Sequence, residues 1–266
     1  MADSIQFYTL TYSHFAHPVL AEVRQETFGE DIGQNGWLTA DEYRHYLNWL
    51  EVTAASQVLD IGSGSGGPAL FLARTVGCQV RGLDINPSST RAANAWAHSL
   101  GLDTLVHFQH ADASQRLPFE EHSFTTVIGI DSMNHVPGRL QVLQEWARVL
   151  RPGGRLLFTD PTIVTGILSN EEIATRSAIG YMLFTPSGEN ERLIQEAGLT
   201  LVHTLDVTDK SAVVSKRWSE ARARRREELL QLEGEAEFEK TQRWLSAVHT
   251  LASERRVSRF AFVAQK

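Results

Sequence analysis

Val58-Leu59-Asp60-Ile61-Gly62-Ser63-Gly64-Ser65-Gly66-Gly67 runs β-favouring apolar residues past an acid and into four glycines. The pattern predicts a strand, a tight turn and then a helix. Glycine belongs where the backbone turns through conformations other residues avoid, or where a ligand meets the main chain with no Cβ in the way.

Downstream of this turn, strand and helix signals alternate. A second strand reads Gln79 to Asp84, with Asn86-Pro87 as a turn and Ser88 or Ser89 as a helix cap. Val106-His107-Phe108 is a third strand, and Phe124 to Ile130 a fourth, apolar enough to be buried on both faces. Leu140, Leu143, Ala147 and Leu150 recur at helical spacing until Pro152-Gly153-Gly154, and Arg155 to Thr159 forms a fifth strand. A helix over Glu189 to Ala197 stops at Gly198, Leu199 to Val207 is a sixth strand, and Arg259 to Ala264 closes the chain as the last. The alternation implies an α/β, doubly wound, mostly parallel seven-stranded sheet, with ligands beyond the carboxyl ends of its strands.

Three segments depart from the alternation. The first holds Phe7, Tyr8, Tyr12 and Phe15, then Phe28 to Trp37; Thr39 with Glu42 reads as a capping box for a helix whose Tyr43, Tyr46, Leu47 and Leu50 share one face. The second, Ile163 to Pro186, has Ser169 and Glu172 as caps of a short helix, and the third, Lys210 to Ser253, reads as two helices. The expected organisation is an N-terminal helical cover over 1–51 and a ligand-binding domain over 52–266, with lid insertions at about 163–186 and 210–253. A long helical insertion equally suits a homodimer contact.

Gly62, Gly64 and Gly67 satisfy the G-x-G-x-x-G spacing that holds a dinucleotide pyrophosphate. Asp60 opposes that reading, because a carboxylate at the strand end would face two phosphate charges at a cost of about a few kcal/mol. S-adenosylmethionine has no phosphate, and its ammonium is attracted by an acid at this position. Asp84 ends the second strand about 20 residues after the loop, where a carboxylate accepts both ribose hydroxyls. Asp112 and Ala113 follow the third strand, placed for the adenine edge, and Asp131 follows the fourth. Each alone reads as a cap or turn acid; together they mark successive strand ends.

Composition fits an enzyme in the cytoplasm. The 266 residues are 42% hydrophobic and 21% charged, which suffices for one large core. No apolar run approaches the ~20 residues of a membrane span, and Met1 to Thr11 lack the pattern of a signal peptide. Cys78 is the only cysteine, which argues against a disulfide framework or a cysteine metal site, and no metal is expected. A net charge of −7 argues against nucleic acid as the main partner. The basic cluster Arg222, Arg224, Arg225 and Arg226 reads as a solvated helix face balanced by Glu227, Glu228, Glu233 and Glu235.

From Gln57 to Lys266 the chain resembles the class I S-adenosylmethionine-dependent methyltransferases, on Asp60 to Gly66, Asp84, Asp112, Leu117-Pro118-Phe119 with Phe124, and Leu150-Arg151-Pro152-Gly153-Gly154. Phe28-Gly29-Glu30 and Asn134-His135-Val136-Pro137 carry a closer likeness to small-molecule methyltransferases of the phosphoethanolamine, sarcosine and sugar O-methylating kinds. The resemblance implies an antiparallel last strand beside the sixth, and a cofactor held by Asp60, Gly62, Ser63, Gly64, Gly66, Asp84, Ile85, Asn86, Asp112, Ala113 and Asp131, with Tyr12 and Gln34 covering it. The acceptor would then be a small molecule methylated on oxygen or nitrogen. His135 after the fourth strand is the candidate general base, and Asp160, expected to end the fifth, would orient it. A nucleotide-dependent oxidoreductase and a non-catalytic S-adenosylmethionine-binding protein are the competing readings. The first lacks a Tyr-x-x-x-Lys or comparable hydride-transfer pair, and the second does not call for His135 and Asp160.

Overall fold

A computed structural model describes residues 11–266. Phe7 and Tyr8 lie outside the described residues. The chain order is α1 (Pro18–Phe28), α2 (Ala40–Leu50), β1 (Gln57–Ile61), α3 (Gly67–Val76), β2 (Gln79–Asp84), α4 (Pro87–Ser99), β3 (Val106–His110) and β4 (Phe124–Gly129). A 3₁₀ turn (Met133–His135) then leads to α5 (Arg139–Val149), β5 (Leu150–Val164), α6 (Asn170–Arg176), β6 (Thr185–Pro186), α7 (Glu189–Glu196) and β7 (Thr200–Asp206). Finally come α8 (Thr208–Arg224), α9 (Arg226–Glu233), α10 (Glu235–Ser253) and β8 (Val257–Gln265).

The strands form one sheet in the order β3-β2-β1-β4-β5-β8-β7, with β6 paired to β5. β1 to β5 pair in parallel, and β8 enters antiparallel between β5 and β7. Side chains alternate across the sheet as a strand period of two requires. Val58, Ile128, Leu157 and Val263 join the core beneath α3 and α4, while Leu59, Val127, Leu156 and Phe262 join that beneath α5 and α7. Tyr43, Tyr46, Leu47 and Leu50 of α2 belong to the first of these cores, so residues just before position 51 pack with the sheet.

Several boundaries differ from the sequence reading. The sheet has an eighth, two-residue strand, β6. β5 does not run from Arg155 to Thr159 but from Leu150 to Val164, because β8 pairs it as far as Val164 and the bulge at Pro152-Gly153-Gly154 is tied to the C-terminus. There Gly153 N–H donates to the Lys266 carbonyl at 2.9 Å, and Lys266 N–H to that of Gly154 at 3.0 Å. Asn86, not Ser88 or Ser89, caps α4, accepting from both of their amides. The region 210–253 carries three helices, since Gly234 separates α9 from α10. Both capping boxes, Thr39 with Glu42 and Ser169 with Glu172, are present.

The arginine cluster is more engaged than a solvated face. Arg222 pairs with Glu233, Arg224 and Arg225 reach Glu26 on α1, and Arg225 also reaches Glu22. The bonds to Glu22 and Glu26 join the end of α8 to α1, while Arg222 with Glu233 and Arg226 with Glu235 keep the balance of acids that the sequence suggested. No helix among the described residues is long and apolar enough to cross a membrane.

Candidate active site

The carboxyl ends of β1, β2 and β4 meet at the glycine turn. The amides of Gly62 and Ser63 donate to the Leu83 carbonyl at 2.8 and 2.9 Å, which fixes the turn to the end of β2. Asp84 completes the tie: one oxygen accepts from Gly64 N–H at 2.8 Å, the other from Asn86 N–H at 2.8 Å and the Ser89 hydroxyl at 3.0 Å. Burial raises its pKa against those lowering bonds. At Gly64, φ is +51° and a Cβ would stand 2.5 Å from the Tyr12 hydroxyl, so only glycine admits this close cover.

A cavity opens along these strand ends. It is lined by Tyr12, Gly62, Asp84, Ile85, Asn86, Asp112, Ala113, Asp131 and His135, and encloses about 990 Å³ counted to its open mouth. A smaller recess continues it past Asp60, Ser63, Gly64 and Gln34. Asp60 is buried, and burial, with the charge of Asp84 second, lifts its carboxyl to about 7. The Ser63 hydroxyl is buried with no hydrogen-bond partner among the described residues. An elongated pocket with Asp84 and Asp112 along the strand ends, and Asp60 in the recess that continues it, has a lining that fits S-adenosylmethionine.

Not every expected residue lies there. Gly66 lines neither the cavity nor the recess; its Cβ would meet Phe108 at 2.7 Å, so its role is to let α3 pack on β3. Gln34 lines the recess, but its side chain accepts from Ile32 N–H at 2.8 Å and donates to the Glu30 carbonyl at 3.1 Å, holding its own loop. One oxygen of Asp112 is engaged by the amide and hydroxyl of Ser114 at 2.8 and 2.7 Å. Asp131 has φ +50° and accepts from Arg259, from Trp37 N–H at 3.0 Å and from the Thr159 hydroxyl at 2.7 Å, so it pins the N-terminal segment to the sheet.

A second cavity, of about 1090 Å³ to its mouth, lies between the sheet end and all three inserted segments. Trp37, Trp218 and Trp244 wall it, with Trp37 and Trp244 ring centres 5.3 Å apart. Asn35, Asp131 and His135 belong to both cavities and form the partition between them.

The pairing of His135 with Asp160 is not made. Asp160 lies inside the lengthened β5, not at its end, fully buried against Arg139, Asn190 and Thr162. The Tyr181 carbonyl, from the 163–186 segment, faces His135 Nδ1 at 2.8 Å instead. A carbonyl only accepts, so Nδ1 carries the proton and Nε2 is left to accept from the Asn134 amide at 3.1 Å. Burial lowers the His135 pKa, which keeps the ring neutral. Asn134 and Tyr181 were singled out in the sequence only as part of a motif and as an aromatic of the cover, not for their contacts with His135, and Asn35 and Arg259 were given no site role; a single arginine within an apolar closing strand was the one signal present for Arg259.

Comparison with known proteins agrees with this fold and cofactor. Residues 59–158 match the methyltransferase domain family. The chain is 31% identical over 240 residues to the 27-O-demethylrifamycin SV methyltransferase of Amycolatopsis mediterranei, covering 85% of this chain and 87% of that one. It is 38% identical over 168 residues to methyltransferase GfsG of Streptomyces halstedii, where the match spans 61% of this chain and 59% of the relative. The fold is that of the Haemonchus contortus phosphoethanolamine N-methyltransferase 2 structure bound to phosphomonomethylethanolamine and S-adenosylhomocysteine, with a TM-score of 0.81 at 20% identity over 98% of this chain and 60% of that one. The chain belongs to the class I S-adenosylmethionine-dependent methyltransferases. It is an enzyme, its cofactor is S-adenosylmethionine, and its acceptor is a small molecule.

Proposed function

We propose that this methyltransferase acts on a hydroxyl of a small, largely apolar molecule seated in the tryptophan-walled cavity, with His135 taking the proton. One observation carries the reading: the strand-end cavity and the apolar cavity meet only across Asn35, Asp131 and His135. The Amycolatopsis relative is named for transfer to an oxygen, which favours a hydroxyl over an amine here.

The cofactor, when bound, supplies a methyl group on a sulfonium whose departure as a neutral thioether needs no acid. The protein's own residues do the rest. Asp84 would accept the ribose hydroxyls, Asp112 and Ala113 would meet the adenine, and Asp60 would face the ammonium, with Ile85 and Asn86 flanking the nucleoside. Tyr12 and the Gln34 loop would exclude water. Alignment of this kind can supply ~7–11 kcal/mol of a barrier. The Tyr181 carbonyl holds His135 in the tautomer with its lone pair on Nε2. An acceptor hydroxyl displaces the Asn134 amide from that nitrogen and delivers its proton there as the oxygen attacks.

General-base assistance is worth ~10²–10⁴ in rate, so His135→Ala should lower turnover by that order while S-adenosylhomocysteine affinity holds. A transfer assay with labelled cofactor across a panel of hydroxylated metabolites supplies the acceptor. Near-normal turnover of His135→Ala on that acceptor would leave alignment as the sole device. Label appearing only on amines would overturn the hydroxyl.

A further inference from the structure

The carbonyl that faces His135 is held in place from β5. Residues 181–185 strap the 3₁₀ turn to the sheet: the Tyr181 carbonyl stands 2.8 Å from His135 Nδ1, Leu183 N–H donates to the Asn134 carbonyl at 2.8 Å, and Thr185 pairs with Ile163. At the middle of this strap, Thr162 Oγ1 lies 2.7 Å from the Leu183 carbonyl. Thr162 is fully buried and lines neither large cavity. It sits where β5 is irregular opposite β8, between Asp160 and Ile163, and a bulge of this kind re-aims side chains next to active sites.

The same hydroxyl stands 2.8 Å from Asp160 Oδ1, and its single proton can go to either acceptor. The Asp160 carboxylate already accepts from Arg139, from the Asn190 side-chain amide at 2.9 Å and from Thr162 N–H at 3.1 Å. The Leu183 carbonyl is therefore the acceptor that loses more when the hydroxyl is removed. Which nitrogen of a neutral imidazole carries the proton is set by the hydrogen bonds the ring makes. A Tyr181 carbonyl that drifts from Nδ1 no longer keeps the proton there, and a ring protonated on Nε2 has nothing to offer an acceptor hydroxyl. We infer that Thr162 is a positioning residue for His135: through Leu183 it keeps the Tyr181 carbonyl against Nδ1, and so keeps the lone pair on Nε2. This rests on the reading above that His135 takes the proton of the acceptor.

Long-range proton–nitrogen NMR of the enzyme loaded with S-adenosylhomocysteine reads the tautomer directly, and His135→Ala assigns the ring among the ten histidines. The wild type should show a protonated Nδ1 and a bare Nε2. Thr162→Val, which removes the hydroxyl and keeps the shape, should mix the two tautomers, and Thr162→Ser should restore the wild-type pattern. On the acceptor found by the transfer assay, kcat of Thr162→Val should fall about five- to tenfold, the worth of one hydrogen bond, with S-adenosylhomocysteine affinity unchanged. A threonine with a merely structural role would leave the tautomer as it is. A wild-type pattern in Thr162→Val, or a wild type protonated on Nε2, overturns the inference. Should Thr162→Val not fold, Leu183→Pro decides in its place, because it frees the strap from Asn134 and an unchanged tautomer would show that Thr162 does not act through Leu183. Mixed tautomers in Thr162→Val with kcat unchanged would instead remove His135 as the base, and with it the reading on which the inference rests.

Discussion

Asp60 is the buried side chain through which the proposed cofactor site would couple to pH. Burial, reinforced by Asp84, lifts its carboxyl from an ordinary 3.8 to about 7. For a carboxyl raised in the folded state, the stabilisation is full below the unfolded value and is lost as pH rises through the folded one. The ligand-free protein should therefore lose stability between about pH 4 and pH 7 through this group. An ammonium beside Asp60 favours the carboxylate, so binding below about pH 7 must expel a proton, and affinity should fall about tenfold per pH unit there and level off above it. Calorimetry of S-adenosylhomocysteine in buffers of different ionisation enthalpy should find about one proton released near pH 6 and close to none near pH 8. Zero release at both pH values would mean that Asp60 does not meet the ammonium. The acids were legible in the sequence because each stands at the end of an apolar run. The orientation of His135 was not: its partner is a backbone carbonyl, to which any residue at position 181 contributes equally.

Among the elements, the strands followed from their apolar runs, while their ends depended on partners distant in sequence. Pro152-Gly153-Gly154 carries every local sign of a stop, yet the C-terminal residue pairs across it and β8 continues the ladder to Val164. That extension removes Asp160 from the site. The three inserted segments were legible as departures from the alternation, but not the way they join: Phe28, Trp37, Ile179, Val214, Trp244 and Leu245 form one cluster, three of whose members wall the tryptophan-lined cavity. Each segment contributes to it. A cover built this way should tighten when the cofactor binds, because Tyr12 closes on Gly64 and the Ser65 hydroxyl donates to the Gly33 carbonyl at 2.7 Å. Hydrogen exchange with and without S-adenosylhomocysteine should show added protection in 11–37 and 170–186, and less change in α5 and α7 on the other face of the sheet. Equal protection in both states would show a cover that is already closed before ligand arrives.

Across the whole molecule, Arg259 ties β8 to α2 and to the end of β4. Its Nη1 donates to Glu42 at 2.6 Å and its Nε to Asp131 at 2.7 Å, while Tyr46 donates its hydroxyl to Glu42 at 2.5 Å. Glu42 and Arg259 are 217 residues apart, and no local pattern announces a bond of that span. The capping box had already given Glu42 a sufficient reason to be where it is. The guanidinium is fully buried between two carboxylates, so its removal leaves two buried charges with too few partners. Breaking a buried ionic group in this way costs ~3–5 kcal/mol, whereas replacing all its members together is often close to neutral. Arg259→Met should therefore lower the thermal midpoint sharply. Arg259→Met combined with Glu42→Gln and Asp131→Asn should recover much of the loss in stability. It should not recover activity, because Asp131 borders both cavities and holds the Trp37 amide. Urea denaturation of the two variants beside the wild type gives the comparison, with turnover measured on the same preparations. If Arg259→Met alone were as stable as the wild type, the network would be a consequence of the fold and not one of its supports.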